Sequence, residues 1–219
     1  MRVRLLGGVI AAATAAVVAT GCSGSGTAPP AAGPVATPPP AASPSAAAPI
    51  SPEHNQADVM FAQGMIPHHL QAIAMSSQAS SRAASQEVKD LAARIAQAQA
   101  PEIEEMHRML DTWGAPRPQP GSNAMPGMPG HGMPGTPMGD MSMHGMMSDA
   151  QMQQLAAQSG AAFDRMFLQM MIEHHTGALQ MAQMEQAQGL NPQAKELAGT
   201  IRTAQQQEIT EMQTLLSRV

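Results

Sequence analysis

Two histidine pairs carry the chemistry that this sequence offers most plainly. His68-His69 follows Met65 and precedes Met75; His174-His175 follows Met171 and precedes Met181. An aspartate stands ahead of each set, Asp58 and Asp164, and a glutamate follows each, Glu102 and Glu208. Imidazole nitrogen is an intermediate ligand and thioether sulfur a soft one, and together they suit copper in either oxidation state. The four carboxylates could ligate directly or orient the histidines through their second ring nitrogen. All of these residues are therefore candidate metal ligands, with a copper ion as the expected partner. Packing offers a competing account, since Met often fills cores and a single His in an apolar stripe is usually a core or boundary residue. Packing does not require His-His flanked by Met, twice over, with the same Asp and Glu.

The two sets belong to a duplication. Asp58-Val-Met-Phe-Ala-Gln-Gly-Met-Ile-Pro-His-His69 matches Asp164-Arg-Met-Phe-Leu-Gln-Met-Met-Ile-Glu-His-His175, and the register continues without a gap. From 58 to 110, 21 of 53 positions are identical at an offset of 106 residues, so both halves should share one structure.

Each half reads as two helices. The first should run from about Pro52 to Ala79, with Ser51 as N-cap and Pro52 at the first helical position. The second should start after Ser85 and stop at Trp113-Gly114. In the second half, Ser148-Asp-Ala-Gln151 is a capping-box start for a helix to Gln188, and Asn191-Pro192 caps the last one. Pro67 and Pro101 fall inside helices and should bend them. On a helical wheel the His pairs and Asp58 share the apolar stripe of the first helix, while Glu102 sits in that of the second. A carboxylate in a core stripe is costly unless paired, protonated or metal-bound. Two hairpins with apolar stripes give an all-α four-helix bundle, 51–114 and 148–219 within one helical domain 51–219.

The joining segment 115–147 is rich in Pro, Gly and Met and too long for a tight connection. It holds Met125, Met128, His131, Met133, Met138, Met141, Met143, His144, Met146 and Met147. Exposed methionines have no packing reason to cluster, so these form a second candidate site for Cu(I) or Ag(I). Reversible oxidation of Met is a further role for it.

The N-terminus is an address. Arg2 and Arg4 precede the apolar run Leu5 to Thr20, too short to span a bilayer, and small residues lead to Cys22. Residues 1–21 read as an export signal of the bacterial lipoprotein type, with Cys22, the sole cysteine, as the lipidated residue. Residues 22–50 then form a disordered Pro/Ala/Ser tether. The expected location is the outer face of the cell membrane. A single cysteine excludes disulfides within the chain and thiolate-rich zinc or iron–sulfur sites. A net charge of −5 without a basic run argues against nucleic acid as a partner.

Met-Ile-x-His-His-x-x-Ala-x-x-Met at 65–75 and 171–181, with Gln-x-x-Glu-Ile-x-x-Met at 99–106 and 205–212, resembles the bacterial domain of unknown function 305 family. The resemblance covers about 51 to 219 and implies a ferritin-like helical bundle and a link to copper outside the cytoplasm. The function expected is metal buffering or delivery at the cell surface, with a metal-transfer partner or a second copy as possible associates. Two other readings compete: a surface scaffold with a polar core and no metal, and a ferritin-like di-metal oxidoreductase. The oxidoreductase normally needs Glu-x-x-His on two helices. Here Glu104-x-x-His107 lies on the polar side, and Thr210 and Gln213 replace it in the repeat, so no catalytic residue is assigned.

Overall fold

The computed structural model describes residues 49–118 and 145–219. Helix α1 spans Gln56–Ser77, the short α2 Ala79–Arg82, α3 Gln86–Trp113, α4 Asp149–Ala157, α5 Gly160–Gln188 and α6 Pro192–Leu216. The described residues are thus all-helical, with one isolated backbone bridge between Ala83 and Gly160. Helix α1 packs on α3 and α5 on α6; α1 meets α5 across the centre, and α3 touches α6. The export signal, Cys22, the tether as far as residue 48 and the loop residues 119–144 lie outside the described residues.

Most helix ends form as their sequences dictate. The Ser85 hydroxyl caps α3, Asn191 caps α6 with Pro192 in the first turn, and Ser148 and Gln151 close a capping box on α4. Gly114 ends α3 in the left-handed conformation (φ 66°), which a residue without a Cβ adopts freely. Pro67 and Pro101 lie inside α1 and α3, and both helices run on through them.

Two boundaries differ from expectation. Helix α1 starts at Gln56, because Asn55 forms a capping box with Asp58 and outcompetes Ser51. Residues 51–54 instead cross the ends of α3 and α6: the Ser51 carbonyl accepts from Trp113 Nε1 (3.1 Å) and Asn191 Nδ2 (3.0 Å), and His54 stacks on Trp113. The helix expected from Ser148 to Gln188 breaks at Gln158-Ser159, where Gly160 (φ 64°) turns the chain beside Ala83. Ser159-Gly160 is a turn signal that the unbroken apolar pattern had masked.

The core consists of two apolar clusters. One holds Ala72 and Met75 of α1, Val88 to Ile95 of α3, Phe163 to Met171 of α5 and Ile209 to Leu215 of α6. The other holds Phe61 to Ile66 of α1, Ile103 to Leu110 of α3, Ala178 and Ala182 of α5 and Ala194 to Ile201 of α6. Each cluster takes opposite halves of equivalent helices, which is what an antiparallel pairing of two duplicated hairpins requires.

Reciprocal clasps join the hairpins at the helix ends. Asp58, fully buried, accepts from the backbone N–H of Asn55 (2.6 Å), Leu190 (3.1 Å) and Asn191 (2.9 Å). Its repeat equivalent Asp164 accepts from Ala84 (3.1 Å) and Ser85 (2.8 Å). Each aspartate thus holds the start of the other hairpin's second helix. The expectation that Asp58 and Asp164 ligate a metal or orient the histidines is corrected: backbone donors take up these carboxylates.

The Asp58 clasp has an extra member. Glu185 is buried beside it, whereas the repeat has Ala79 at that place. Burial raises the Asp58 carboxyl, but the Glu185 carboxyl and the three backbone donors outweigh this and hold it below its usual value. Burial, then the adjacent Asp58, push Glu185 up to about 8, against a small opposing pull from Lys195. An acid whose folded pKa lies above its unfolded value favours the fold while protonated. Its contribution is therefore lost as pH rises from about 4.5, the unfolded value, through about 8. Glu185→Gln should flatten this fall. Allowing about half the shift for solvent screening, it should raise the melting temperature at pH 9 by roughly 5 °C. Melting curves from pH 5 to 9 that stay parallel for both proteins would refute the assignment.

Candidate metal centre

Between the two apolar clusters lies one polar layer. On α1, His68 and His69 fall between Ile66 of one cluster and Ala72 of the other. On α5, His174 and His175 fall between Met171 and Ala178; on α3, Gln99 and Glu102 between Ile95 and Ile103; on α6, Gln205 and Glu208 between Ile201 and Ile209. All four histidines are buried, none more than 1% exposed. The layer sits where α1 and α5 cross, and there the His68 and His174 rings meet with centroids 3.7 Å apart and planes tilted by 37°.

Each outer histidine is held by a carboxylate of the partner helix in its own hairpin. His69 Nε2 lies 2.7 Å from Glu102 Oε2, and His175 Nε2 lies 2.7 Å from Glu208 Oε2. A carboxylate only accepts, so Nε2 carries the proton and donates. In the neutral ring, the form that binds metal, this leaves the lone pair on Nδ1. Both Nδ1 atoms are buried without a hydrogen-bond partner. This is the arrangement by which a carboxylate orients a ligating imidazole. Of the two roles expected for Glu102 and Glu208, the geometry supports orientation. Burial, then the neighbouring His68, His175 and His69, hold His174 well below the ordinary imidazole value, so it stays neutral.

Met65, Met75 and Met171 are fully buried, and Met181 is partly so. Met65 and Met181 belong to the cluster on one side of the layer, Met75 and Met171 to that on the other. Each side therefore has one thioether from each hairpin. The Met181 sulfur sits 3.7 Å from where a β-carbon on Gly64 would lie, so this thioether packs close against α1. Among the described residues, no three His, Cys, Asp or Glu side chains form a ready-made metal cage. The thioethers of Met65, Met75, Met171 and Met181 are the soft donors that flank the imidazoles of this layer.

The end of the Met-rich segment docks over the same place. Gln71 donates to the Met147 carbonyl (2.8 Å) and accepts from its N–H (2.7 Å). Gly145 (φ 76°) lies so close to α5 that a β-carbon would come within 2.7 Å of the Glu173 carbonyl and 2.9 Å of that of His174. Met147 is buried in the same apolar cluster as Met75 and Met171, and Met146 is half-buried. The candidates Met125, Met128, His131, Met133, Met138, Met141, Met143 and His144 lie outside the described residues.

Sequence reasoning missed Gln99 and Gln205 as members of the layer. The signal was present: a polar residue at the same place in both halves, in the stripe between Ile95 and Met106. It missed Glu185 because the repeat has nothing to match it.

The family model for a domain of unknown function, DUF305, matches residues 58–216. A DUF305 fragment from Deinococcus radiodurans is 30% identical with a TM-score of 0.61, covering 75% of this chain and 98% of that one. A DUF305 protein from Streptomyces coelicolor, described as secreted, is 34% identical with a TM-score of 0.63, covering 74% and 91%. CopM in its Cu(II)-bound form is 31% identical with a TM-score of 0.58, covering 74% and 96%; CopM is also known in Cu(I)-bound and Ag-bound forms. No curated protein matches.

Proposed function

We propose, for a chain that belongs to the DUF305 family, that it is an exported copper-binding protein whose histidine layer takes up the ion. The observation that carries this is the pair of buried Nδ1 atoms on His69 and His175, each on a ring oriented by a carboxylate and each lacking a partner. An unpaired buried acceptor is costly, and the same cost incurred at two equivalent positions calls for an occupant. His68 and His174 lie between them, and the four methionines above and below complete an imidazole–thioether set suited to copper. The copper- and silver-bound forms of CopM support the same ion class.

Export and a lipid anchor on Cys22 follow from the N-terminal sequence, and they place the bundle at the cell surface as a copper buffer or donor. Metal analysis of the purified protein, with Cu(I), Cu(II) and Zn(II) in competition, tests the ion: tight zinc binding with no copper binding would overturn the proposal. For the anchor, Cys22→Ser should release the protein from membranes or block its maturation. A signal-cleaved Cys22→Ser protein that stays membrane-bound would count against lipidation.

A further inference from the structure

The layer holds two residues that the histidine–methionine set leaves unused. Gln99 and Gln205 are 2% and 3% exposed, and neither the oxygen nor the nitrogen of either carboxamide has a hydrogen-bond partner. Each lies one turn before the glutamate that orients a histidine, on the stripe facing the layer. The two halves have exchanged other buried polar and apolar residues, as Ser76 for Ala182 shows, yet both keep glutamine here. A leucine would fill the same volume without an unpaired amide. Polar groups retained in a core without partners point to something that binds them.

The chemistry of that occupant follows from the donor. A carboxamide oxygen is a hard ligand, of little use to Cu(I), which selects thioether and imidazole. Cu(II) instead prefers a tetragonal set of nitrogen and oxygen. We propose that Gln99 and Gln205 supply oxygen donors to Cu(II) in the histidine layer. One place in the bundle thus offers two ligand sets, carboxamide with imidazole for Cu(II) and thioether with imidazole for Cu(I). Both oxidation states are then held without the ion leaving the layer. This inference rests on the histidine layer being a copper site.

The test uses the full chain with the Met and His residues of 125–144 changed to Ser, so that binding reports on the bundle. Cu(II) affinity is measured by chelator competition and its coordination by electron paramagnetic resonance; Cu(I) affinity is measured against a chromophoric Cu(I) chelator. Gln99→Leu with Gln205→Leu should weaken Cu(II) by about tenfold or more and change its hyperfine splitting, while Cu(I) affinity stays within about twofold. Melting without metal should be unchanged or higher, because an unpaired amide is replaced by an apolar side chain. Unchanged Cu(II) affinity and spectrum would overturn the inference, leaving the amides to bind water. Equal weakening of both ions would also overturn it, because the glutamines would then only shape the layer. If the parent binds neither ion, the copper reading fails and the inference with it; if the parent binds both and the variant matches it, the inference alone fails. Should the double variant not fold, the single variants Gln99→Leu and Gln205→Leu give the same spectroscopic reading.

Discussion

Replacing His69 and His175 together with Ala should abolish most of the thermal stabilisation that copper confers. A ligand that binds only the folded state stabilises it by RT ln(1 + [L]/Kd), about 4 kcal/mol at a thousandfold excess over Kd. For a domain of this size that corresponds to a rise of roughly 8–16 °C. The effect should run through these two residues because their Nδ1 atoms are the buried, oriented and unpartnered acceptors of the layer. Removing them also strands Glu102 and Glu208, so the metal-free variant should melt lower than its parent. The comparison belongs in the chain with the 125–144 Met and His residues changed to Ser. A scaffold with a merely polar core predicts the same metal-free loss but a different response to metal: copper moves neither protein. Copper-independent melting of the parent would sink the bundle site and leave any copper binding to the loop.

Asp58→Ala should cost about 3 kcal/mol or more, a fall in melting temperature of roughly 6–12 °C at neutral pH. The substitution removes a capping box from α1 and strips acceptors from three backbone N–H groups, two of them on the other hairpin. Asp164→Ala should cost less, since its carboxylate serves two N–H groups, at Ala84 and Ser85. Asp58→Asn should recover part of the loss, because a carboxamide oxygen still accepts. If these aspartates were metal ligands, their loss would change copper affinity more than metal-free melting. The clasp assignment requires the reverse, and measuring both on the same variants separates the two.

The local elements were legible because their signals lie within a few residues. Ser85, Asn191 and Ser148 cap helices by accepting from the N–H three positions on, and Gly114 stops one by its own dihedral freedom. Where two local signals competed, reading failed: Asn55 against Ser51, and Ser159-Gly160 against a continuous apolar stripe. The 106-residue offset, visible as identity along the chain, also implied that both halves would build one shared kind of site.

The chain itself therefore determined the all-helical class, the duplication, and the histidines, methionines and glutamates at its centre. Only the folded structure decided which of these polar residues meet. Asp58 shares a helical face with His68 and His69, yet it lies in the first turn of α1, and its oxygens go to Leu190 and Asn191 of the other hairpin. Glu102 and Gln99 share one stripe, yet only Glu102 reaches a histidine. Helical periodicity specifies the face on which a side chain stands. Which neighbour it finds depends on how far two helices slide past one another, and that is set by long-range packing of the two apolar clusters.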